Sequence, residues 1–208
     1  MRAGRDVQRS LASDTAAARA SLAALVSRSP DLDPPLIVSA TIESLAENLT
    51  DSVVSPLLYY ALFGLPGALV YRAVNTMDAM LGYRDEREYI GKAAARSDDA
   101  ANWLPTRITG LLLIAVSAFK GTSGRAWWAF RTQHQPQYGP NKTLAIATMA
   151  GSLGVRLEKP GAYTLGTPDR PLTAGVIDDA VWRVWAAGGA TVVLAAGLAA
   201  ALTAVVHG

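Results

Sequence analysis

The chain has 208 residues, of which 50% are hydrophobic and 17% charged, and this balance favours a small helical membrane bundle. A net charge of +2 with dispersed basic residues excludes an electrostatic nucleic-acid footprint. With no cysteine and only two histidines, the chain lacks the ligands for a disulfide framework, a thiolate nucleophile or a zinc centre.

The N-terminal segment, residues 1–33, is predicted to form an amphipathic surface helix. Its charged start lacks the apolar region that follows in a secretory signal. Prolines at 30, 34 and 35 interrupt this helix, and a second helix is predicted from about Leu36 to Asp51. The apolar positions of the first helix, mostly three or four residues apart, are Val7, Leu11, Ala18, Leu22 and Leu25.

The uncharged window at 52–71 holds 20 residues, about the length that crosses a hydrocarbon core. It is interrupted by Pro56, Gly64, Pro66 and Gly67. Broken helices occur at membrane depth where they are buried in protein or line a cavity, so we predict a kinked or re-entrant segment here. This segment belongs to a motif-bearing core, predicted at 36–119, whose last 12 uncharged residues at 108–119 are too short to cross alone.

The second half is predicted to hold loops and short helices at 120–183 and a transmembrane helix at 184–206. Within it, 125–143 is expected to be a loop with an aromatic cluster suited to a membrane interface, and 161–175 a second loop. A short helix is predicted from Thr143 to Val155. The resulting fold class is all-α: one integral membrane domain, 1–208, built as a helical bundle with kinked or re-entrant segments and amphipathic surface helices.

Three carboxylates at helical spacing precede the uncharged window. Glu43, Glu47 and Asp51 are spaced i, i+4, i+8, which places them along one stripe of a helix. Like charges at this spacing destabilise a helix by about 0.2–0.5 kcal/mol per pair, so the stripe needs water or a cation. The plain alternative is a solvated acidic face, and Asn48 borders the stripe as a further amide ligand.

Polar residues directly follow the uncharged window at 52–71. Asn75 and Asp78 are spaced i, i+3 and share a face if the helix continues, with Arg72 one turn earlier. Helix capping by Asn75 or Asp78 is the structural alternative. Gly82-Tyr83 is typical of a helix end, because glycine readily adopts the left-handed conformation.

A second acidic group, Asp98 and Asp99 with Asn102, precedes Arg107, a cation suited to phosphate or carboxylate. Two acidic groups with asparagine and arginine fit magnesium-nucleotide chemistry, in which oxygen ligands hold the metal. Gly91-Lys92 lacks the glycine-rich stretch of a phosphate-binding loop, and neither histidine has a serine partner for protease chemistry. A transporter would need charged residues inside a clear span, and the sequence shows none.

These motifs taken jointly resemble one family, the membrane-bound adenosylcobinamide-phosphate synthases of cobalamin biosynthesis (CobD/CbiB). The resemblance runs from about Val7 to Asp178, and family members are usually longer at the N-terminus. In a downstream run that includes Asn141, Ile146 occupies a position that is commonly acidic in the family. The matching residues are Glu43-Ser44, Glu47-Asn48, Asp51, Pro56, Arg72, Asn75-Thr76, Asp78, Met80, Gly82-Tyr83, Ala95-Arg96, Asp98-Asp99, Asn102-Trp103, Pro105 and Arg107.

The resemblance implies a ligase that forms an amide between adenosylcobyric acid and aminopropanol phosphate, with ATP and Mg²⁺ as cofactors and a corrinoid as substrate. It implies that Asp51 and Asp78 bind Mg²⁺. The catalytic residues that it implies are Glu47, Asp51, Asp78, Asp98 and Asp99. The substrate- or nucleotide-binding residues are Glu43, Asn48, Arg72, Asn75, Tyr83, Asn102, Arg107 and Asn141.

The sequence leaves two questions open, one on function and one on topology. The alternative function is a non-catalytic membrane relative that acts as an assembly or regulatory subunit. For topology, a re-entrant 52–71 segment would keep both acidic groups on the cytoplasmic face, whereas a full crossing would need a shared intramembrane cavity. Expected partners are the bilayer of the cytoplasmic membrane, which the chain would pass several times, and either other cobalamin-pathway membrane proteins or a second copy.

Overall fold

The computed structural model describes residue 7, residues 32–81 and residues 88–207. Within these residues the chain forms helices and one two-stranded antiparallel sheet. A π-helical turn, Thr50–Val54, joins the first two helices, and 3₁₀ turns lie at Ala118–Lys120 and Pro136–Tyr138. The helices are α1 (Pro34–Leu49), α2 (Ser55–Leu81), α3 (Glu88–Ser117), α4 (Ser123–Thr132), α5 (Lys142–Leu153) and α6 (Ala174–His207), and the strands are β1 (Arg156–Lys159) and β2 (Tyr163–Gly166).

Helix α1 runs through the centre of the molecule. It begins with two prolines, whose missing N–H groups are tolerated in the first turn. Almost every residue from Ile37 to Leu49 is buried, polar ones such as Glu43 included, so the helix packs against neighbours on most of its sides. It packs against α6, β1, α5 and the π-helical turn, and Met149 and Ile177 belong to the same buried apolar cluster.

Helix α2 folds back on itself at Gly64, whose backbone angles of φ 66° and ψ −159° suit glycine almost alone. The ring centroids of Tyr59 and Tyr71 lie 5.3 Å apart, whereas 12 residues of straight helix would separate them by about 18 Å. At Gly67 a Cβ atom would lie 2.6 Å from Phe63 Cβ. The predicted kink is therefore confirmed, and we call residues 55–81 the fold-back.

Three helical stretches, Pro34–Met80, Gly91–Lys120 and Ala174–Val205, are long and apolar enough to cross a membrane. The first contains the fold-back, so its length does not correspond to one straight crossing. Large apolar side chains on the fold-back are exposed, including Phe63 at 64% and Leu65 at 61%, which suits contact with lipid. The all-α membrane bundle is confirmed.

Several local predictions need correction, while the predicted helix from Thr143 to Val155 is confirmed as α5. The loop expected at 125–143 is helical up to Thr132, because Trp127 stacks on Phe130 with ring centroids 5.8 Å apart along α4. The loop expected at 161–175 contains β2, which pairs with β1 and buries alternate side chains. Helix α6 begins at Ala174, ten residues before the predicted start. The predicted N-terminal helix lies mostly outside the described residues, and the single domain stays a prediction.

Candidate functional site

A cavity of about 380 Å³ lies where the π-helical turn, the end of the fold-back, the first half of α3 and the start of α5 meet. Its walls are mainly polar and charged. The lining residues are Glu47, Thr50, Asp51, Asp78, Ala95, Asp98, Asp99, Asn102, Thr106, Tyr138, Gly139, Asn141, Lys142 and Ala145.

All five residues predicted to be catalytic line this cavity. Glu47 comes from the end of α1, and Asp51 comes from the π-helical turn, a type of irregularity that is frequent at functional sites. The other three are Asp78 at the end of the fold-back and the Asp98-Asp99 pair on α3. The fold-back brings Asp51 and Asp78 to the same cavity although 27 positions separate them in the sequence. Their catalytic roles stay predictions.

Two side-chain amides hold Asp98. The Nδ2 group of Asn102 donates to both carboxylate oxygens, at 3.2 and 3.1 Å, and Asn75 Nδ2 donates to Oδ1 at 3.2 Å. Asn75 in turn accepts from Arg72 Nη1 at 3.4 Å. Because an amide nitrogen only donates, both asparagines present Asp98 as an acceptor in the cavity. Arg72 and Asn75 themselves are not among the lining residues.

The start of α5 is tied to α3 through Asn141. Its Nδ2 group donates to the Asp99 carbonyl oxygen at 2.7 Å, and its Oδ1 atom accepts from Arg107 Nη1 at 3.2 Å. Arg107 also donates to the Trp103 carbonyl oxygen at 2.6 Å and lies 4.0 Å from the centroid of the Trp103 ring. These contacts hold the Arg107 guanidinium beside the cavity, next to the Asn141 side chain that lines it.

Lys142 is a lining residue that the sequence analysis missed. It stands in the downstream run that departs from the family pattern, directly after Asn141, and it brings an ammonium group to a cavity with five carboxylates. Ile146, the position that is commonly acidic in the family, lies fully buried in the apolar core instead. The loop before α5 adds Tyr138 and Gly139 to the lining.

Two further predicted binding residues, Glu43 and Asn48, are not among the residues that line the cavity. Glu43 is buried, and its carboxylate accepts from Tyr163 Oη at 2.9 Å and from Ser39 Oγ at 3.1 Å, so it anchors β2 to α1. Asn48 donates to the Ser44 carbonyl oxygen at 2.8 Å. Another predicted binding residue, Tyr83, lies outside the described residues.

His134 lies close to the start of α5 and to the positive charge of Arg107. Its Nδ1 atom is 3.1 Å from Thr143 Oγ1 in the first turn of α5. Burial lowers the pKa of His134 from its ordinary value, and the positive charge of Arg107 lowers it further. Both effects favour the neutral form of the imidazole.

Magnesium suits the oxygen donors of the cavity. Among the described residues, no three histidine, aspartate or glutamate side chains stand close enough to hold a metal ion together. Mg²⁺ commonly takes one or two carboxylates, several waters and substrate phosphates in place of a complete protein cage. The carboxylates of Asp51 and Asp78 fit that mode of binding.

All the residues that line the cavity fall within the part of the chain that a protein-family model matches. The sequence model of the CobD/Cbib protein family matches residues 1–185. The chain is 47% identical over 156 residues to a probable cobalamin biosynthesis protein CobD of Methanococcus maripaludis, which covers 74% of this chain and 51% of the relative. The corresponding protein of Pyrococcus furiosus is 48% identical over 159 residues, with 76% and 53% covered.

The cobalamin biosynthesis protein CobD of Dehalococcoides mccartyi is 44% identical over 161 residues, which cover 76% of this chain and 52% of the relative. The chain thus spans about half the length of these curated relatives. No solved structure is significantly similar to the chain.

Proposed function

The chain belongs to the CobD/Cbib family, and we propose that it joins adenosylcobyric acid to aminopropanol phosphate in an ATP-dependent reaction that gives adenosylcobinamide phosphate. The observation that carries this proposal is the convergence of Glu47, Asp51, Asp78, Asp98 and Asp99 on one cavity that Lys142 also lines. The proposed reaction needs acidic groups for a metal-bound nucleotide and for the amine, and cations for phosphate.

The chemistry has two steps. The corrinoid propionate attacks the terminal phosphorus of ATP, which gives an acyl phosphate and ADP. The amine nitrogen of aminopropanol phosphate then attacks the acyl carbon, the carbon–oxygen bond to phosphate breaks, and amide, inorganic phosphate and one proton are released. A carboxylate near the amine can take that proton, and Asp98 or Asp99 would serve as this base.

The roles of the metal ion and of the basic residues follow from the negative charges of the cavity and of ATP. A triphosphate cannot enter a cavity with five carboxylates without cations, and Mg²⁺ held by Asp51 and Asp78 would neutralise both sides. Lys142, inside the lining, would contact a phosphate group, and Arg107 beside Asn141 would support it. Arg72, which pairs with Asn75 outside the lining, is assigned no direct phosphate contact.

The volume of the cavity indicates which substrates can enter it. A volume of about 380 Å³ is at the low end of the range of about 300–1,000 Å³ typical for small-molecule pockets. A corrinoid is much larger than such ligands. We therefore place the nucleotide and the amine within the cavity, with the corrinoid outside and only its propionate side chain reaching in.

The fold-back supports a cytoplasmic site. Asp51 precedes it and Asp98 follows it, yet both line one cavity, so both acidic groups can face the compartment that supplies ATP. This arrangement favours the re-entrant topology in a multi-pass protein of the cytoplasmic membrane.

The proposal is tested with protein purified in lipid nanodiscs. Adenosylcobyric acid, aminopropanol phosphate and MgATP are supplied, and the amide product is measured by mass spectrometry together with ADP. Asp51→Ala and Asp78→Ala should each lose at least about a hundredfold in rate, because removing a metal-binding carboxylate removes several kcal/mol of charge stabilisation. Asp169→Ala removes an exposed 3.2 Å pair with Arg125 and a hydrogen bond from Thr167 Oγ1, both outside the cavity lining, and should keep the rate. Equal rates in all three variants would contradict the assignment.

A further inference from the structure

Asn102 stands where both arms of the fold-back reach the cavity. Its Oδ1 atom accepts from Ser55 Oγ at 2.8 Å, at the start of the fold-back, and from Tyr71 Oη at 3.0 Å, on the returning arm. Its Nδ2 group donates to both oxygens of Asp98. One buried amide therefore connects two distant points of the fold-back to a carboxylate of the site.

The carboxylate of Asp98 decides which way this amide points. Asn102 is 4% exposed, so bonds to bulk water do not fix its orientation. The carbonyl oxygen of an amide only accepts and its nitrogen only donates. The Asp98 carboxylate only accepts, so the amide nitrogen faces it, and Asn102 Oδ1 is left to accept from the hydroxyls of Ser55 and Tyr71. The opposite orientation would bring the amide oxygen against the carboxylate oxygens, without a hydrogen bond between them.

We propose that Tyr71 is a positioning residue, which acts through Asn102 to hold the Asp98 carboxylate in its working orientation. Tyr71 is 2% exposed and also approaches the Asp51 carbonyl oxygen at 3.4 Å. It does not line the cavity and would not touch substrate. Correct folding of the membrane-facing segment is thereby coupled to the geometry of the site.

Tyr59 provides a matched control on the other arm. Its ring stacks on that of Tyr71, and its hydroxyl donates to the Ala101 carbonyl oxygen at 3.0 Å. Tyr59→Phe and Tyr71→Phe each remove one hydroxyl from the same pair of stacked rings. Only the second change removes a donor from Asn102, so a general packing effect would appear equally in both variants.

The kinetic test rests on the proposed ligase activity. For Tyr71→Phe, kcat should fall about threefold to tenfold with KM for the corrinoid unchanged, as expected for one lost hydrogen bond. Tyr59→Phe should match the wild type. In an Asn102→Ala background, Tyr71→Phe should cause no further loss, because the two residues act in series. Independent, multiplicative losses would overturn the proposal, whereas an inactive wild type would count against the proposed function alone.

A spectroscopic test of the positioning role of Tyr71 does not require ligase activity. Protein labelled with ¹³C at aspartate carboxyl groups is studied by NMR in nanodiscs, and the Asp98 signal is assigned by its loss in Asp98→Asn. The signal should move in Tyr71→Phe and stay in place in Tyr59→Phe. An unmoved signal in Tyr71→Phe, or equal movement in both variants, would overturn the positioning role.

Discussion

The fold-back depends on two glycines that a single methyl group should disturb. At Gly67 an added Cβ would lie 2.6 Å from Phe63 Cβ and 2.7 Å from the Tyr59 carbonyl oxygen. Real Cβ atoms essentially never approach closer than 3.0 Å, and neither neighbour is the end of a flexible side chain. Gly67→Ala must therefore push the two arms apart, and such overpacking typically costs about 1–3 kcal/mol.

At Gly64 the cost of an alanine comes from the backbone. The angles φ 66° and ψ −159° lie in a region that is essentially restricted to glycine, so Gly64→Ala should also lose about 1–3 kcal/mol. Gly197 is the matched control, because it lies in α6 with no atom within 4 Å of an added Cβ. There, Gly197→Ala should stabilise the helix by about 0.5–1 kcal/mol.

The assay is unfolding of the detergent-solubilised protein by titration with a denaturing detergent, followed by far-ultraviolet circular dichroism. The two fold-back variants should unfold at lower denaturant than the wild type, and Gly197→Ala at equal or higher denaturant. If Gly67→Ala unfolds together with Gly197→Ala, the close approach of the two arms is wrong, and with it the geometry that brings Asp51 to Asp78.

Three further predictions concern sidedness and stability. Single cysteines in place of the exposed Ser52 and Ser97 should both react with a membrane-impermeant thiol reagent from the cytoplasmic side; reaction from opposite sides would refute the shared cavity. Because the folded pKa of His134 is lowered, its stabilising contribution should be lost as pH falls below about 6.5, so the unfolding midpoint of His134→Gln should depend less on pH than that of the wild type; equal dependence would contradict the shift. Glu43→Ala should destabilise the fold by about 1–3 kcal/mol because the buried hydrogen bond from Tyr163 Oη to its carboxylate is lost, and the same unfolding titration measures this; a loss of activity without loss of stability would point to a direct catalytic role.

The sequence could predict that the chain breaks near Gly64, because prolines and glycines interrupt an uncharged window of membrane-crossing length. It could not predict which residues meet after the break. The contact of Tyr71 with Asn102 joins positions 31 apart and depends on the direction of the fold-back, which local propensity does not encode. The sequence shows the two acidic groups, but it does not show the contacts that bring them to one cavity.

The acidic stripe shows where helical spacing misleads. Each step of four residues turns about 40° beyond a full helical turn, so Glu43 and Asp51 diverge by about 80°. Asp51 itself lies in the π-helical turn at Thr50–Val54, beyond the end of α1. Glu47 and Asp51 consequently line the cavity, while Glu43 meets Tyr163 on a strand that the sequence analysis assigned to a loop.

The central claim is that the carboxylates of this cavity perform the ligation, and complementation tests it most directly. A cobalamin auxotroph lacking its synthase is transformed with the wild-type gene, with Asp51→Ala and with Asp169→Ala, and membrane expression is checked by immunoblot. The account predicts growth without added cobalamin for the wild type and Asp169→Ala, and none for Asp51→Ala. Growth of the Asp51→Ala strain at the wild-type rate would contradict the site, and failure of a well-expressed wild type would favour a non-catalytic assembly or regulatory subunit.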